Sequence, residues 1–232
     1  MNQNLLDLIK NYSIPRKHND VFKNKTIISV SGPTSSGKDT LINEILKDSG
    51  FIKIKTYTTR KPRQFSQKGA EDSNYFFIDF PKAEEMILNN QFFEVAIVHQ
   101  NIYGTTYNQF EEAFKLHKKP ILNIDIQGVL KYQEINTKLI SFFLLPPDFK
   151  TLLDRYFSRQ TDLSDLKTRL HTSLFELKFV LNSDHFYQII SDDLNQSIKD
   201  FKNVLDNNSF KKSYPELIKD LISDIEKYLK NN

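Results

Sequence analysis

In Thr26-Ile27-Ile28-Ser29-Val30-Ser31-Gly32-Pro33-Thr34-Ser35-Ser36-Gly37-Lys38-Asp39-Thr40 the chain passes from a run rich in β-branched residues into a loop bounded by two glycines. The run reads as a strand. Beyond the loop, the apolar residues of Leu41-Ile42-Asn43-Glu44-Ile45-Leu46 recur at helical spacing. The order is strand, loop, helix. A G-x-x-x-x-G-K loop in that setting wraps successive backbone N–H groups around a nucleotide phosphate, and the helix N-terminus and the lysine add positive charge. Gly32 and Gly37 allow the tight turn and a close backbone approach that a Cβ would obstruct. One position is irregular, because the motif asks for Ser or Thr after the lysine and the chain has Asp39. The competing reading is an ordinary turn between a strand and a helix.

Composition narrows the function classes. With 232 residues the chain holds one substantial core or at most two small domains. No secretory pattern opens it and no apolar run approaches membrane-spanning length, so a soluble, cytoplasmic protein without a membrane partner is expected. Cysteine is absent, which excludes disulfides, thiolate metal sites and cysteine nucleophiles. The 32 basic and 29 acidic residues leave a net charge of +3, suited to small anions. No basic stripe with interleaved aromatics marks a nucleic-acid partner. The histidines at 18, 99, 117, 171 and 185 lack metal-ligand spacing.

Working outward from the loop, residues 1–25 hold one apolar cluster, Leu5, Leu6, Leu8 and Ile9, and read as a helical arm or a tail. Residues 51–56 alternate as a strand and lead into Tyr57-Thr58-Thr59-Arg60-Lys61-Pro62-Arg63. That stretch is either a solvated charge run or a grip on a second phosphate-bearing substrate, since guanidinium forks bind phosphate oxygens at two points. A strand at 75–78, a short helix from Pro81 to Leu88, a strand at 92–98 and a turn at 102–106 form a compact strand-rich insertion, with Tyr75, Glu94, Tyr103 and Thr105 facing inward. A helix over 107–117, a buried strand over 120–125, a helix over 126–134 and an apolar strand over 138–145 follow. This alternation implies a mostly parallel sheet covered by helices. From Asp148 the chain is helical and carries Arg155, Arg159 and Arg169 around a polar break, either as a lid over transferring phosphates or as ordinary surface ion pairs. A strand at 186–190, a polar turn at 191–193 and two helices complete it.

Nine motifs in order carry a resemblance to guanylate kinase: SGPTSSGK, TTRKPR, NYFF, FFEVA, IYGTT, LNIDIQG, LLPP, the three arginines and SDDL, spanning about residues 26–205. The resemblance implies an α/β P-loop kinase core with a parallel sheet flanked by helices (26–56, 107–150 and 183–205). It also implies a GMP-binding insertion (57–106) and a helical lid (about 151–170), with 1–25 and 206–232 as extensions. It implies transfer of the ATP γ-phosphoryl to GMP with Mg²⁺, ATP and GMP as partners, and leaves a homodimer open. Gly32, Thr34, Ser35, Ser36, Gly37, Lys38, Asp39, Thr40 and Ser191 would bind ATP. Arg60, Arg63, Tyr75 and Tyr103 would hold the GMP phosphate, while Thr56, Glu94, Thr105 and Asp125 would read or support guanine. Lys38, Arg60, Arg155, Arg159 and Arg169 would act on the transferring group. Glu94 suits guanine because a carboxylate accepts from both N1–H and the 2-amino group.

The chain departs from the family pattern where it has Asp39 for serine, Asn123 for an acid, Ser66 for a glutamate with Glu71 as a substitute, and Ser191 for asparagine. A carboxylate about 4 Å from a phosphate charge costs on the order of 4 kcal/mol at an effective dielectric near 20, so Asp39 needs a cation between. If the acid has moved from position 123 to position 39, the charge around magnesium is unchanged, with Asp39 as ligand and Asn123 as an indirect contact. Two alternatives stay open. The ribose 1,5-bisphosphate phosphokinases share GKD and the later asparagine, but this chain keeps TTRKPR, Glu94 and IDIQG. An inactive guanylate-kinase-like interaction module would lack the phosphate loop.

Overall fold

The computed structural model describes residues 3–13, 22, 24–62, 75–98, 100–134, 138–158, 163–207 and 213–231. In chain order they form α1 (Gln3–Lys10), β1 (Thr26–Ser31), α2 (Lys38–Ile45), β2 (Phe51–Lys53), β3 (Thr56–Thr58), β4 (Tyr75–Phe77), α3 (Phe80–Leu88), β5 (Phe92–Val98) and β6 (Asn101–Thr106). Then come α4 (Tyr107–Lys115), β7 (Lys119–Asn123), α5 (Ile126–Glu134), β8 (Lys138–Leu145), α6 (Phe149–Phe157), α7 (Leu163–Leu181), β9 (Phe186–Ile190), α8 (Leu194–Asn207) and α9 (Pro215–Asn231). One sheet has five strands in the order β2-β7-β1-β8-β9, the other four in the order β4-β3-β6-β5. Pairing is parallel for β2 with β7 and for β8 with β9. The architecture is the expected α/β one, with a parallel sheet flanked by helices. Two compact units emerge, residues 1–27, 50–122 and 130–139 in the first and residues 28–49, 123–129 and 140–232 in the second.

In the first unit, β3 pairs parallel with β4, β3 antiparallel with β6, and β5 antiparallel with β6. The strand expected over 51–56 is two strands, β2 and β3, in different sheets. Backbone hydrogen bonding explains the break. Ile54 N–H donates to Ile121 O at 2.9 Å. The two polar groups of Lys55 are taken by one side chain, as its N–H donates to Gln109 Oε1 (2.8 Å) and its carbonyl accepts from Gln109 Nε2 (2.9 Å). A residue satisfied in this way has no call on either sheet. The turn expected at 102–106 is instead the six-residue strand β6. At Gly104 a Cβ would lie 2.6 Å from the Phe92 ring, so the absent side chain lets Phe92 pack across the strand.

The helix expected to reach His117 stops at Lys115, and His117 turns left-handed at φ 54°. Asp79 caps α3 by accepting from Lys82 N–H at 2.8 Å. Residues 3–13 are a packed arm. Leu5 and Ile9 of α1 are buried with Ala83, Met86 and Ile87 of α3 and with Phe92 and Val95 of β5. Tyr12 OH donates to Phe92 O at 2.5 Å.

In the second unit, β8 is buried from Phe142 to Leu145, the continuous apolar pattern of a strand covered on both sides. Phe142 stacks on Phe201 of α8 with centroids 4.4 Å apart. After Pro146 and Pro147, Asp148 caps α6 by accepting from Thr151 N–H at 2.6 Å. The C-terminal helix α9 packs on α7 and α6 and buries Ile218, Leu221 and Ile225, each worth about 1.5–3 kcal/mol.

Candidate functional site

The sequence-predicted residues fall into two groups, one in each unit. In the second unit the loop between β1 and α2 has the conformation its glycines imply. Gly32 stands at φ 143°, and a Cβ there would lie 2.3 Å from Leu144 O, a backbone atom that cannot give way. Gly37 is left-handed at φ 87° immediately before α2, whose first turn has no side-chain cap. The start of a helix is a place that favours an anion. Ser35 is also left-handed, at φ 58°. Lys38 curls back over the loop, its Nζ donating to Gly32 O and Pro33 O, both at 2.8 Å, and to Ser36 Oγ at 3.4 Å. Ser36 is buried, Thr34 and Ser35 are half-buried, and Thr40 is exposed. Thr34 N–H donates to Ser173 Oγ at 3.2 Å, which ties the loop to α7.

Asn123 Nδ2 donates to Asp39 Oδ1 at 2.9 Å, so the two residues that break the family pattern touch each other. Asp125 Oδ1 accepts from Gly128 N–H at 2.8 Å and caps the start of α5. Arg155 docks on the turn after β9, with Nη1 donating to Ser191 Oγ (3.1 Å) and Nη2 to Ser191 O (2.7 Å). Arg169 Nε donates to Asp165 Oδ2 at 2.5 Å, an oxygen that also accepts from Tyr156 OH at 3.1 Å. The surface-ion-pair reading of Arg169 is therefore realised in this form. Arg159 lies outside the described residues.

In the first unit, register does the assembling. Thr56 is paired with Tyr75, Thr58 with Tyr103, and Glu94 with Thr105. Arg60 sits over two rings, its guanidinium carbon 5.1 Å from the Tyr75 centroid and 5.4 Å from that of Phe77. Tyr75 meets Tyr103 edge-on at 6.1 Å. Cation–π contact of this kind holds a guanidinium in place without neutralising it. Glu94 is only 6% exposed, and Thr105 Oγ1 donates to its Oε1 at 3.1 Å. Thr56 is buried as well. Arg63, Ser66 and Glu71 lie outside the described residues.

A guanylate kinase family model matches residues 23–220. The chain belongs to the guanylate kinase family. It is 32% identical over 185 residues to the guanylate kinase of Clostridioides difficile (strain 630), covering 79% of this chain and 88% of that one. It is 32% identical over 197 residues to that of Clostridium tetani (strain Massachusetts / E88), covering 84% and 91%. The crystal structure of guanylate kinase from Anaplasma phagocytophilum shares the fold, with a TM-score of 0.61, 24% identity and coverage of 82% of this chain and 89% of that one.

Three residues of this guanylate kinase family member escaped the sequence reading. Ser173 and Glu176 lie on α7, and Tyr132 on α5. The sequence held a signal for the first two. Leu166, Leu170, Leu177 and Val180 form the buried stripe of α7, and Ser173 occupies a stripe position with Glu176 beside it. A polar pair on an apolar stripe points to a partner there, and for Ser173 that partner is the loop. Burial pushes the Glu176 carboxyl up to about 8, Lys38 opposes the rise and Asp125 adds to it. At neutral pH it is predominantly protonated.

Proposed function

We propose that this chain transfers the γ-phosphoryl group of ATP to GMP, forming ADP and GDP. Membership of the guanylate kinase family supports the reading, and one observation carries the choice of acceptor: the buried Glu94 carboxylate, held by Thr105 on the neighbouring strand. Guanine presents two adjacent donors to such a group. Adenine does not, and would leave the acid buried and unpaired at a cost of roughly 1–3 kcal/mol. Phosphoryl transfer proceeds by positioning and electrostatic stabilisation, so no covalent nucleophile is required. Lys38 and the N–H groups of the loop receive the ATP phosphates. Arg60, fixed on Tyr75, binds the GMP phosphate with Arg63 and Tyr103. Arg155 and Arg169, drawn by substrate anions from Ser191 and Asp165, supply charge to the transferring group together with Arg159. The substrates are those of a cytoplasmic nucleotide pool, and among the described residues no helix is long and apolar enough to cross a membrane.

Oxygen donors at Asp39 fit Mg²⁺, which binds through one or two carboxylates together with nucleotide phosphates. Among the described residues no group of three or more His, Cys, Asp or Glu side chains forms a cage by itself, and Asp39 would hold the metal together with nucleotide phosphates. When bound, Mg²⁺ supplies charge neutralisation at the phosphates. Asn123 orients the Asp39 carboxylate. Asp39→Ser is expected to raise the magnesium concentration for half-maximal rate about tenfold, equivalent to about 1.4 kcal/mol. An unchanged magnesium titration would remove Asp39 from the metal site.

The activity itself is tested by coupled ADP release with GMP, dGMP, AMP and ribose 1,5-bisphosphate as acceptors. GMP is expected to be used well and AMP poorly. Preference for ribose 1,5-bisphosphate, or turnover of none of the four, would overturn the reading.

A further inference from the structure

The Glu94–Thr105 pair has a third member. Tyr132 is completely buried, and its ring is fixed on two sides, stacked on Phe93 (4.6 Å, 22° between planes) and tilted against Phe110 (5.9 Å). Its hydroxyl oxygen lies 2.5 Å from Thr105 Oγ1. The preceding residue, Lys131, donates from Nζ to Val95 O at 2.5 Å, so this part of α5 is tied to the sheet at two adjacent positions, to β5 through Lys131 and to β6 through Tyr132. Thr105 has a single proton and gives it to Glu94 Oε1. The short bond to Tyr132 therefore has only one possible polarity: Tyr132 O–H donates to Thr105 Oγ1, and Thr105 O–H donates to Glu94. Burial raises the Tyr132 phenol well above its ordinary value, and the nearby Glu94 charge adds to this, so the donor proton is retained across the physiological range.

A threonine hydroxyl alone can turn its proton among staggered positions. One that accepts from a ring locked in an aromatic cluster cannot do so without breaking that bond. We propose that Tyr132 is a positioning residue for purine recognition, which acts through Thr105 to hold the Glu94 carboxylate in one orientation toward the acceptor base. The inference rests on the reading of Glu94 as the base acceptor. Nucleotide does not touch Tyr132, whose influence passes through two hydrogen bonds, and it bears on guanine more than on hypoxanthine because hypoxanthine lacks the 2-amino donor.

The test is Tyr132→Phe, which keeps the ring and its stacking and removes only the hydroxyl. KM for GMP is expected to rise about tenfold, the order of one lost hydrogen bond in a buried site. The kcat/KM ratio of GMP to IMP is expected to fall several-fold, while KM for ATP and kcat at saturating GMP stay within twofold. A purely structural hydroxyl would lower the melting temperature and leave the GMP to IMP ratio where it was. That result, a ratio and a GMP KM within twofold of the parent, overturns the proposal. Glu94→Gln measured alongside separates the two levels. If it collapses the ratio and Tyr132→Phe does not, only the role of Tyr132 falls. If Glu94→Gln leaves the ratio intact, the base-reading role of Glu94 falls and the proposal with it.

Discussion

Replacement of Lys38 by alanine is expected to lower kcat/KM for ATP-dependent phosphorylation of GMP about 10³-fold, with the melting temperature nearly unchanged. The magnitude is that of removing one preorganised charge from a phosphoryl-transfer site. Stability is spared because the Lys38 contacts are to the loop's own carbonyls and to Ser36, where solvent can replace the ammonium. The ammonium is held in the free protein by neutral acceptors, and a polyphosphate is a stronger one, so the side chain exchanges weak partners for a strong partner on binding. Lysine-to-arginine replacement is no substitute, since a fork does not reproduce a point charge. Steady-state kinetics together with a thermal melt checks both halves, and retention of more than a tenth of the parent activity would count against the role assigned to Lys38.

The second large effect is on stability and appears as a change with pH. Glu176 is almost fully buried and ionises at about 8 in the folded chain, against an ordinary value of 4.5. Between those values the folded state holds a proton that the unfolded state has released, so stability falls as pH rises. This contribution is complete below about 4.5 and has been lost once pH passes about 8. Glu176→Gln cannot ionise and is expected to abolish it. From pH 5 to pH 8 the parent should lose stability relative to the variant by an amount on the order of a few kcal/mol. Denaturant midpoints for both proteins at the two pH values read out the difference directly. Parallel pH dependences for parent and variant would mean that the carboxyl is not desolvated as its burial implies.

Much of this was legible in the chain. The glycine-bounded loop, the strand after it and the strand–helix alternation follow from local rules, because each element reports its own burial through its own periodicity. Glu94 and Thr105 were legible as inward-facing residues for the same reason, and both are buried, whereas Tyr75 and Tyr103 are half-buried. Sheet membership was less so. Residues 51–56 carry one continuous alternation, and the break at Lys55 is caused by Gln109, 54 positions away. Strand β6 resembled a turn because it contains a glycine, whose small size serves the packing of Phe92 and not a reversal of the chain. Tyr132 was not legible at all. Nothing in a buried tyrosine at helical spacing distinguishes a core ring from one whose hydroxyl completes a recognition site, and only the tertiary partner decides it. Asp39 and Asn123 stood out separately as irregular residues, and their hydrogen bond joins them.

The way the two compact units are threaded sets an order of events during synthesis. All residues of the unit bearing Glu94 have been made once residue 139 is released, whereas the phosphate loop belongs to a unit that also needs residues 140–232. The packing partners of the loop and of α2, at Leu144, Ser173 and α8, are the late arrivals. A nascent chain therefore completes the unit bearing Glu94 well before the unit bearing Lys38, and domains completed early on the ribosome fold first. Stabilisation by mass action from any ligand of the loop can therefore begin only after residues 140–232 have been made.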